Sequence, residues 1–172
     1  VIVDGRCETN PGMKRTLGAR RLFPALALLD PELTLTLPPT ITANTGLDAL
    51  SQAIEGMVSR QSTPMGDILA LEACSIVRSW LPVAVAEGNH LEARAWMLYA
   101  AMLSGCVIAQ SGTTLVHGMG YYLTLYCGIP HGLANALLLT PVFQFNARHL
   151  PEKVAAIASA LGHPCKPEPV LP

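Results

Sequence analysis

Two histidines stand out in the segment LVHGMGYYLTLYCGIPHG, residues 115–132. His117 and His131 lie fourteen positions apart, and the stretch 95–147 around them contains no Asp, Glu, Lys or Arg. A neutral imidazole nitrogen can bind a divalent metal ion inside an apolar region without adding a further charge. The two side chains are therefore candidate metal ligands. The alternative is that each is an ordinary histidine buried in a hydrophobic core.

The chain between these histidines contains a break that could bring them together. A single continuous helix would hold them about 21 Å apart, too far to share one ion. Residues 127–130, CGIP, interrupt such a helix because glycine and proline both favour a turn. We therefore predict that His131 begins a new helix and faces His117 on the preceding one.

A carboxylate that could complete the site lies earlier in the chain. In TGLDALSQAIEG, residues 45–56, Asp48 and Gln52 are four positions apart and share one face of a predicted helix. Metal sites built on imidazole commonly include a carboxylate oxygen. The alternative for Asp48 is a structural one, since aspartate favours the first turn of a helix.

The composition excludes several classes of protein. A net charge of −1 without a basic cluster argues against nucleic acid as a partner. Of the residues, 51% are hydrophobic, but the best membrane candidate, 95–116, ends in polar residues, so we expect a buried core helix and no membrane span. The five scattered cysteines form no C-x-x-C pair, which predicts reduced thiols in a cytoplasmic protein. The start VIVDGRCETN carries no secretion signal and suggests a piece of a longer protein.

Periodicity predicts a mainly α-helical chain with a short remnant of sheet at its front. Residues 1–3 and 24–30 are expected to be strands, because both are short apolar runs bounded by turn residues. Helices are expected from residue 37 onward. One contains the apolar positions of 47–57, and the others span about 64–80, 89–110, 113–126, 131–145 and 151–162. A Ser/Thr cap with Pro64 should open the second helix, and Asn89 with Glu92 should open the third.

Two long motifs resemble the iron-containing alcohol dehydrogenases, of the dehydroquinate synthase-like superfamily. They are TANTGLDALSQAIEG and LVHGMGYYLTLYCGIPHGLANALLLTPV, and the similarity covers roughly residues 1–162. The resemblance implies a nucleotide-binding sheet domain followed by a helical metal-binding domain. Residues 1–36 would be the end of the first domain and residues 37–172 an incomplete second domain.

The resemblance also assigns roles at the metal. Asp48, His117 and His131 match the positions of the family's metal ligands. Gln52 stands where the family usually has a histidine as the fourth ligand. An amide oxygen there could coordinate the ion, but less strongly than an imidazole nitrogen.

Three further residues match positions near the substrate and cofactor. Lys14 and Leu33 match positions that line the nicotinamide end of the cofactor site. Tyr121 stands where the family commonly has a second histidine, close to the substrate. A tyrosine hydroxyl can donate or accept a hydrogen bond there, but its usual pKa is too high for a base near neutral pH.

The function implied is hydride transfer between NAD or NADP and a small alcohol or aldehyde, assisted by Fe²⁺ or Zn²⁺, in a homo-oligomeric enzyme. The chain by itself is expected to be inactive, because the family's glycine-rich phosphate-binding turn is not in it. One alternative is a zinc-type glycerol dehydrogenase on the same fold. The other is a helical assembly module that binds no metal, which Gln52 would favour.

Overall fold

The structure, a computed structural model, describes residues 2–4, 12–15 and 19–163. Within these residues it contains six α-helices and one two-stranded sheet, so the predicted mainly helical fold is confirmed. The helices are α1 (Pro39–Val58), α2 (Pro64–Ala86), α3 (Leu91–Ser111), α4 (Leu115–Tyr126), α5 (His131–Ala147) and α6 (Pro151–Ala160).

Helix α2 begins as the sequence predicts and ends later. Thr63 Oγ1 accepts a hydrogen bond from Gly66 N at 3.1 Å, and Pro64 occupies the first turn, where its missing N–H is not needed. The helix continues beyond Trp80 and through Pro82 to Ala86. Its last turn still has an inward residue to bury, because Ala84 has no exposed surface.

The N-cap of helix α3 lies one residue later than the predicted cap. The N-cap is His90, and not Asn89, because His90 Nδ1 accepts the hydrogen bond from Ala93 N at 3.2 Å. The apolar stretch 95–116, which we expected to be a buried core helix, is not a single helix, since Gly112 has a φ of +68° and separates α3 from α4. Helices α2 and α3 are each long and apolar enough to cross a membrane by length and composition alone, a property that core helices of water-soluble proteins share.

The core lies between α1, α2 and α3, where small side chains allow the helix backbones to approach closely. Ala53, Ala70, Ala73 and Ala100 have no exposed surface, and Ile157 of α6 is also fully buried in this cluster. Helices α2 and α3 therefore pack against one face of α1, whose other face carries the polar residues of the candidate site.

Helices α4 and α5 form a hairpin that packs against α1. Gly128, with a φ of +67°, reverses the chain after α4, and Ile129 N donates to Leu123 O at 3.2 Å. Pro130 is the N-cap of α5, and His131 is the first residue of that helix. The predicted reversal between the two histidines is therefore present.

The predicted strand at residues 24–30 is wrong, and a strand that was not predicted is present. Residues 24–30 are irregular, and Leu26 and Leu28 are 74% and 84% exposed. The described sheet contains only β1 (Ile2–Asp4) and β2 (Met13–Arg15), paired antiparallel with Val3 opposite Lys14. An apolar run becomes a strand only when a neighbouring strand supplies hydrogen bonds, and the described part of the chain supplies none to 24–30.

The contact between α5 and α1 leads to a test by substitution. A Cβ added at Gly132 would overlap the backbone carbonyl group of Asn44 in α1. Gly132→Ala should therefore lower the free energy of unfolding by roughly 1–3 kcal/mol, because backbone atoms have to move apart. Urea unfolding, followed by circular dichroism, measures the change.

The matched control is Gly105→Ala in α3, where an added Cβ would meet nothing within 4 Å. Alanine is the better helix former, so this variant should be as stable as the wild type or more stable by up to about 1 kcal/mol. Equal stability changes in the two variants would show that α5 does not approach α1 as described.

Candidate metal centre

Three helices bring together three of the residues that the sequence identifies. Asp48 lies on α1, His117 on α4 and His131 on α5, and their ligand atoms all lie within 4.8 Å of one another. Asp48 Oδ1 is 3.4 Å from His117 Nε2 and 3.7 Å from His131 Nε2. The group borders a cavity of about 370 Å³, whose lining also includes Gln52, Ile108, Thr113 and Tyr121.

The amide nitrogen of Asn135 lies within hydrogen-bond distance of all three ligand atoms. Asn135 Nδ2 lies 2.8 Å from Asp48 Oδ1, 3.2 Å from His117 Nε2 and 3.3 Å from His131 Nε2. Among the described residues, the buried His131 Nδ1 and Asn135 Oδ1 have no protein hydrogen-bond partner. One carboxylate oxygen and two imidazole nitrogens around one point form a donor set that suits Zn²⁺ or Fe²⁺. The residues therefore fit a divalent metal ion.

A buried glutamate lies behind His117. Glu55 is 1% exposed, and its Oε2 is hydrogen-bonded to His117 Nδ1. Its Oε1 accepts from Thr114 N and Thr114 Oγ1, both at 2.7 Å, and from Val116 N at 3.0 Å. Because the Nδ1 side of the imidazole is held by Glu55, the other nitrogen, Nε2, points toward Asp48.

The charges around His117 change its protonation. Burial lowers the pKa of His117, but its hydrogen bonds to Asp48 and Glu55 and the charges of both outweigh burial, so the pKa rises to about 9. Burial likewise raises the pKa of Asp48, and hydrogen bonds from His117 and Asn135 reverse that effect, which leaves the pKa below its usual value. In the metal-free protein a proton is therefore held between the carboxylates. A cation would compete with this proton for Nε2.

His131 is the imidazole that is neutral near pH 7. Burial lowers its pKa, and although Asp48 opposes this effect, the nearby charges of Lys14 and His117 lower the pKa further. A neutral imidazole is the form that binds a metal ion. The two histidines of the site therefore enter metal binding in different protonation states.

Gln52 is in the cavity, but its amide contacts Asp48. Gln52 Nε2 donates to Asp48 Oδ2 at 2.8 Å, which is the only direction available because an ionised carboxylate can only accept. An amide nitrogen has no free lone pair to offer a cation. In this structure Gln52 thus holds the second oxygen of Asp48, while Asp48 Oδ1 faces the histidines.

The remaining residues that the sequence identifies lie at two different places. The ring of Tyr121 stacks on His131 with centroids 5.5 Å apart, and Lys14 Nζ lies 5.0 Å from the centre of the Tyr121 ring. Leu33 lies in a short 3₁₀ turn, Pro31–Thr34, is 79% exposed, and is not among the described residues that line this cavity. The structure thus brings Lys14 and Tyr121 to the site and leaves Leu33 outside it.

The sequence reasoning missed two polar residues of the site, Glu55 and Asn135. Both lie inside the quoted motifs, and spacing could have identified them. Glu55 follows Asp48 by seven residues, or about two helical turns, so it shares the same face of α1. Asn135 follows His131 by four residues and is the polar residue of the next turn of α5.

The fold and the site define a helical domain that offers one carboxylate and two imidazoles to a metal ion. Residues 42–169 match the model of the Fe-containing alcohol dehydrogenase family, C-terminal part. The chain belongs to this family, as the motifs predicted.

The individual proteins that the chain resembles include alcohol dehydrogenases. The chain is 44% identical to the 1-propanol dehydrogenase PduQ of Citrobacter freundii over 141 residues, which are 82% of this chain and 38% of that protein. It resembles the crystal structure of an iron-containing alcohol dehydrogenase from Thermotoga maritima with a TM-score of 0.76 and 43% identity, over 83% of this chain and 39% of that one.

A third similar protein is a sulfoacetaldehyde reductase from Bifidobacterium kashiwanohense, solved in complex with NAD⁺. It has a TM-score of 0.77 and 39% identity, and the match covers 88% of this chain and 43% of that one. The chain thus spans about two fifths of the length of the relatives it matches.

The position of Gln52 generates a prediction about metal affinity. Zn²⁺ and Fe²⁺ prefer an imidazole nitrogen to a neutral amide. Gln52→His should therefore tighten Zn²⁺ binding by roughly tenfold to a hundredfold. Metal affinity changes by a similar factor when a residue that hydrogen-bonds to a metal ligand is removed. Competition against a chelator at a single pH measures the change, so that ligand protonation is the same in both proteins.

The control is Gln61→His, which adds an imidazole at an exposed position between α1 and α2. It should leave Zn²⁺ affinity within about twofold of the wild type. If Gln52→His binds no more tightly than Gln61→His, the site does not accept a fourth protein ligand at position 52.

Proposed function

We propose that this chain is the metal-binding part of an NAD(P)-dependent alcohol dehydrogenase that interconverts a small alcohol and its aldehyde. The observation that carries the proposal is the meeting of Asp48, His117 and His131, from three helices, at one point beside a cavity. Relatives named for 1-propanol and for sulfoacetaldehyde support a substrate with a short carbon chain.

Asp48, His117 and His131 would hold the metal ion, Fe²⁺ or Zn²⁺, and Gln52 would hold Asp48 in place. When bound, the ion supplies a Lewis acid that lowers the pKa of an alcohol hydroxyl or polarises an aldehyde carbonyl. The nicotinamide cofactor supplies the hydride chemistry. The zinc-type glycerol dehydrogenase and the metal-free module are less well supported, because the relatives are alcohol dehydrogenases and reductases and the donor set is assembled.

The walls of the cavity would position the substrate and restrict water. Ile108 contributes an apolar surface, and Tyr121 contributes a hydroxyl that we assign to the substrate oxygen as a hydrogen-bonding group. Its ring packs on His131, so the same residue also limits how that imidazole can rotate. Fewer water molecules near the reacting atoms would strengthen each electrostatic interaction.

Other parts of the proposal rest on the resemblance and the composition. We assign Lys14 to the nicotinamide end of the cofactor site, which its position beside Tyr121 supports. Leu33 has the same assignment without a contact that supports it. The domain boundary at residues 36–37, the homo-oligomeric state and the cytoplasmic location stay predictions.

The test uses the full-length protein that contains this chain. It measures bound metal and the alcohol-dependent formation of NADH or NADPH. His131→Ala removes one of three ligands and should reduce both Zn²⁺ affinity and turnover of 1-propanol by at least about a hundredfold. His149→Ala is the matched control, because His149 is exposed beyond the end of α5 and contacts Phe145. The control should retain metal and activity. Retention of both by His131→Ala would refute the proposed site.

A further inference from the structure

Glu55 uses its two carboxylate oxygens for two different purposes. Among the described residues Oε2 is bonded to the His117 ring, whereas Oε1 accepts from the N-cap and first turn of α4, at Thr114 N, Thr114 Oγ1, Val116 N and His117 N. The side chain is 1% exposed. A buried carboxylate is stable only when donors surround it, and here the donors come from Thr114, the N-cap of α4, and from the first turn of that helix.

We propose that Glu55 is a positioning residue for the metal centre, which fixes the tautomer and the direction of the His117 ring. The inference rests on the proposed function, because it assumes that His117 Nε2 binds the ion. It concerns a residue that touches neither substrate nor metal and acts through His117.

The tautomer follows from the chemistry of the two partners. An ionised carboxylate accepts hydrogen bonds and cannot donate them, so His117 Nδ1 must carry the proton. In the neutral ring the lone pair is then on Nε2, which faces Asp48 Oδ1 at 3.4 Å. A negative partner on Nδ1–H also makes the other nitrogen a stronger electron donor toward a cation. Glu55 thus keeps the proton on Nδ1, so that Nε2 is the nitrogen that becomes free for a cation once the second proton of the ring is displaced.

The capping contacts couple this effect to the fold. Glu55 lies on α1, as Asp48 does, and Oε1 ties the first turn of α4 to that helix. The negative charge lies at the N-terminus of α4, where the helix dipole favours it. A ligand from α1 and a ligand from α4 are therefore held at a set distance by one side chain.

Glu55→Gln is the decisive variant, because the surrounding donors determine which way the new glutamine amide is oriented. Oε1 must remain an oxygen, since three N–H groups and one hydroxyl point at it. The amide NH₂ then replaces Oε2 and donates to His117 Nδ1, which forces the proton onto Nε2. We expect Zn²⁺ affinity to fall tenfold to a hundredfold in competition with a chelator.

Thr114→Val is the matched control for a purely structural role. It removes the hydroxyl that donates to Oε1 and leaves the contact between Oε2 and His117 Nδ1 untouched. This variant should lose stability in urea unfolding, yet keep Zn²⁺ affinity within about twofold of the wild type. Long-range ¹H–¹⁵N spectra of the metal-free proteins, recorded where the imidazole is neutral, should show Nδ1–H in the wild type and Nε2–H in Glu55→Gln.

The outcomes separate this inference from the proposed function. Failure of the wild-type chain to bind Zn²⁺ would overturn the proposed function and the inference with it. If the wild type binds Zn²⁺ and Glu55→Gln binds it equally well, only the role of Glu55 is wrong. The same conclusion follows if both variants lose affinity to the same extent, or if the tautomer of His117 does not change.

Discussion

The arrangement of α1, α4 and α5 depends on the burial of two carboxylates on one face of α1. Glu55 is 1% exposed, and the side chain of Asp48 is 22% exposed. A charge removed from water destabilises the fold unless donors replace the lost water. Those donors come from the first turn of α4 for Glu55, and from His117 and Asn135 for Asp48. The polar contacts that would hold a metal ion are therefore the same contacts that dock the α4–α5 hairpin.

Close backbone packing makes these short polar contacts reachable. Gly132 has no side chain between the start of α5 and the Asn44 carbonyl group, so His131 and Asn135 come within reach of α1. On the opposite side of α1, alanines without exposed surface bring α2 and α3 close and hold that helix in place. Small residues thus allow the helix backbones to approach closely, and the two carboxylates of α1 orient the side chains that hydrogen-bond to them.

The protonation of the site follows from the same arrangement. His117 lies between two acids, which more than offset burial and raise its pKa to about 9, whereas burial keeps the pKa of His131 low. Two histidines of one apolar segment thus acquire opposite shifts in pKa. The difference comes from their neighbours on α1 and from the charge of Lys14, which come near them only in the folded chain.

The sequence by itself determined the helices, the reversal at Gly128 and the family, because each depends on local residue types. Helical periodicity, a Thr–Pro cap and a Gly–Pro break act within a few residues, and the two long motifs are read directly from the chain. The strand expected at residues 24–30 and the cap expected at Asn89 were wrong, because a strand requires a partner and a cap requires a particular side-chain direction.

Only the tertiary structure decided how the polar residues pair. Glu55 contacts Thr114 and His117 across 59 and 62 residues, and Asn135 contacts Asp48 across 87. Such pairs depend on how the helices cross, which local periodicity does not contain. The role of Gln52 as a metal ligand stays a prediction, and the folded chain adds that its amide nitrogen donates to Asp48 Oδ2.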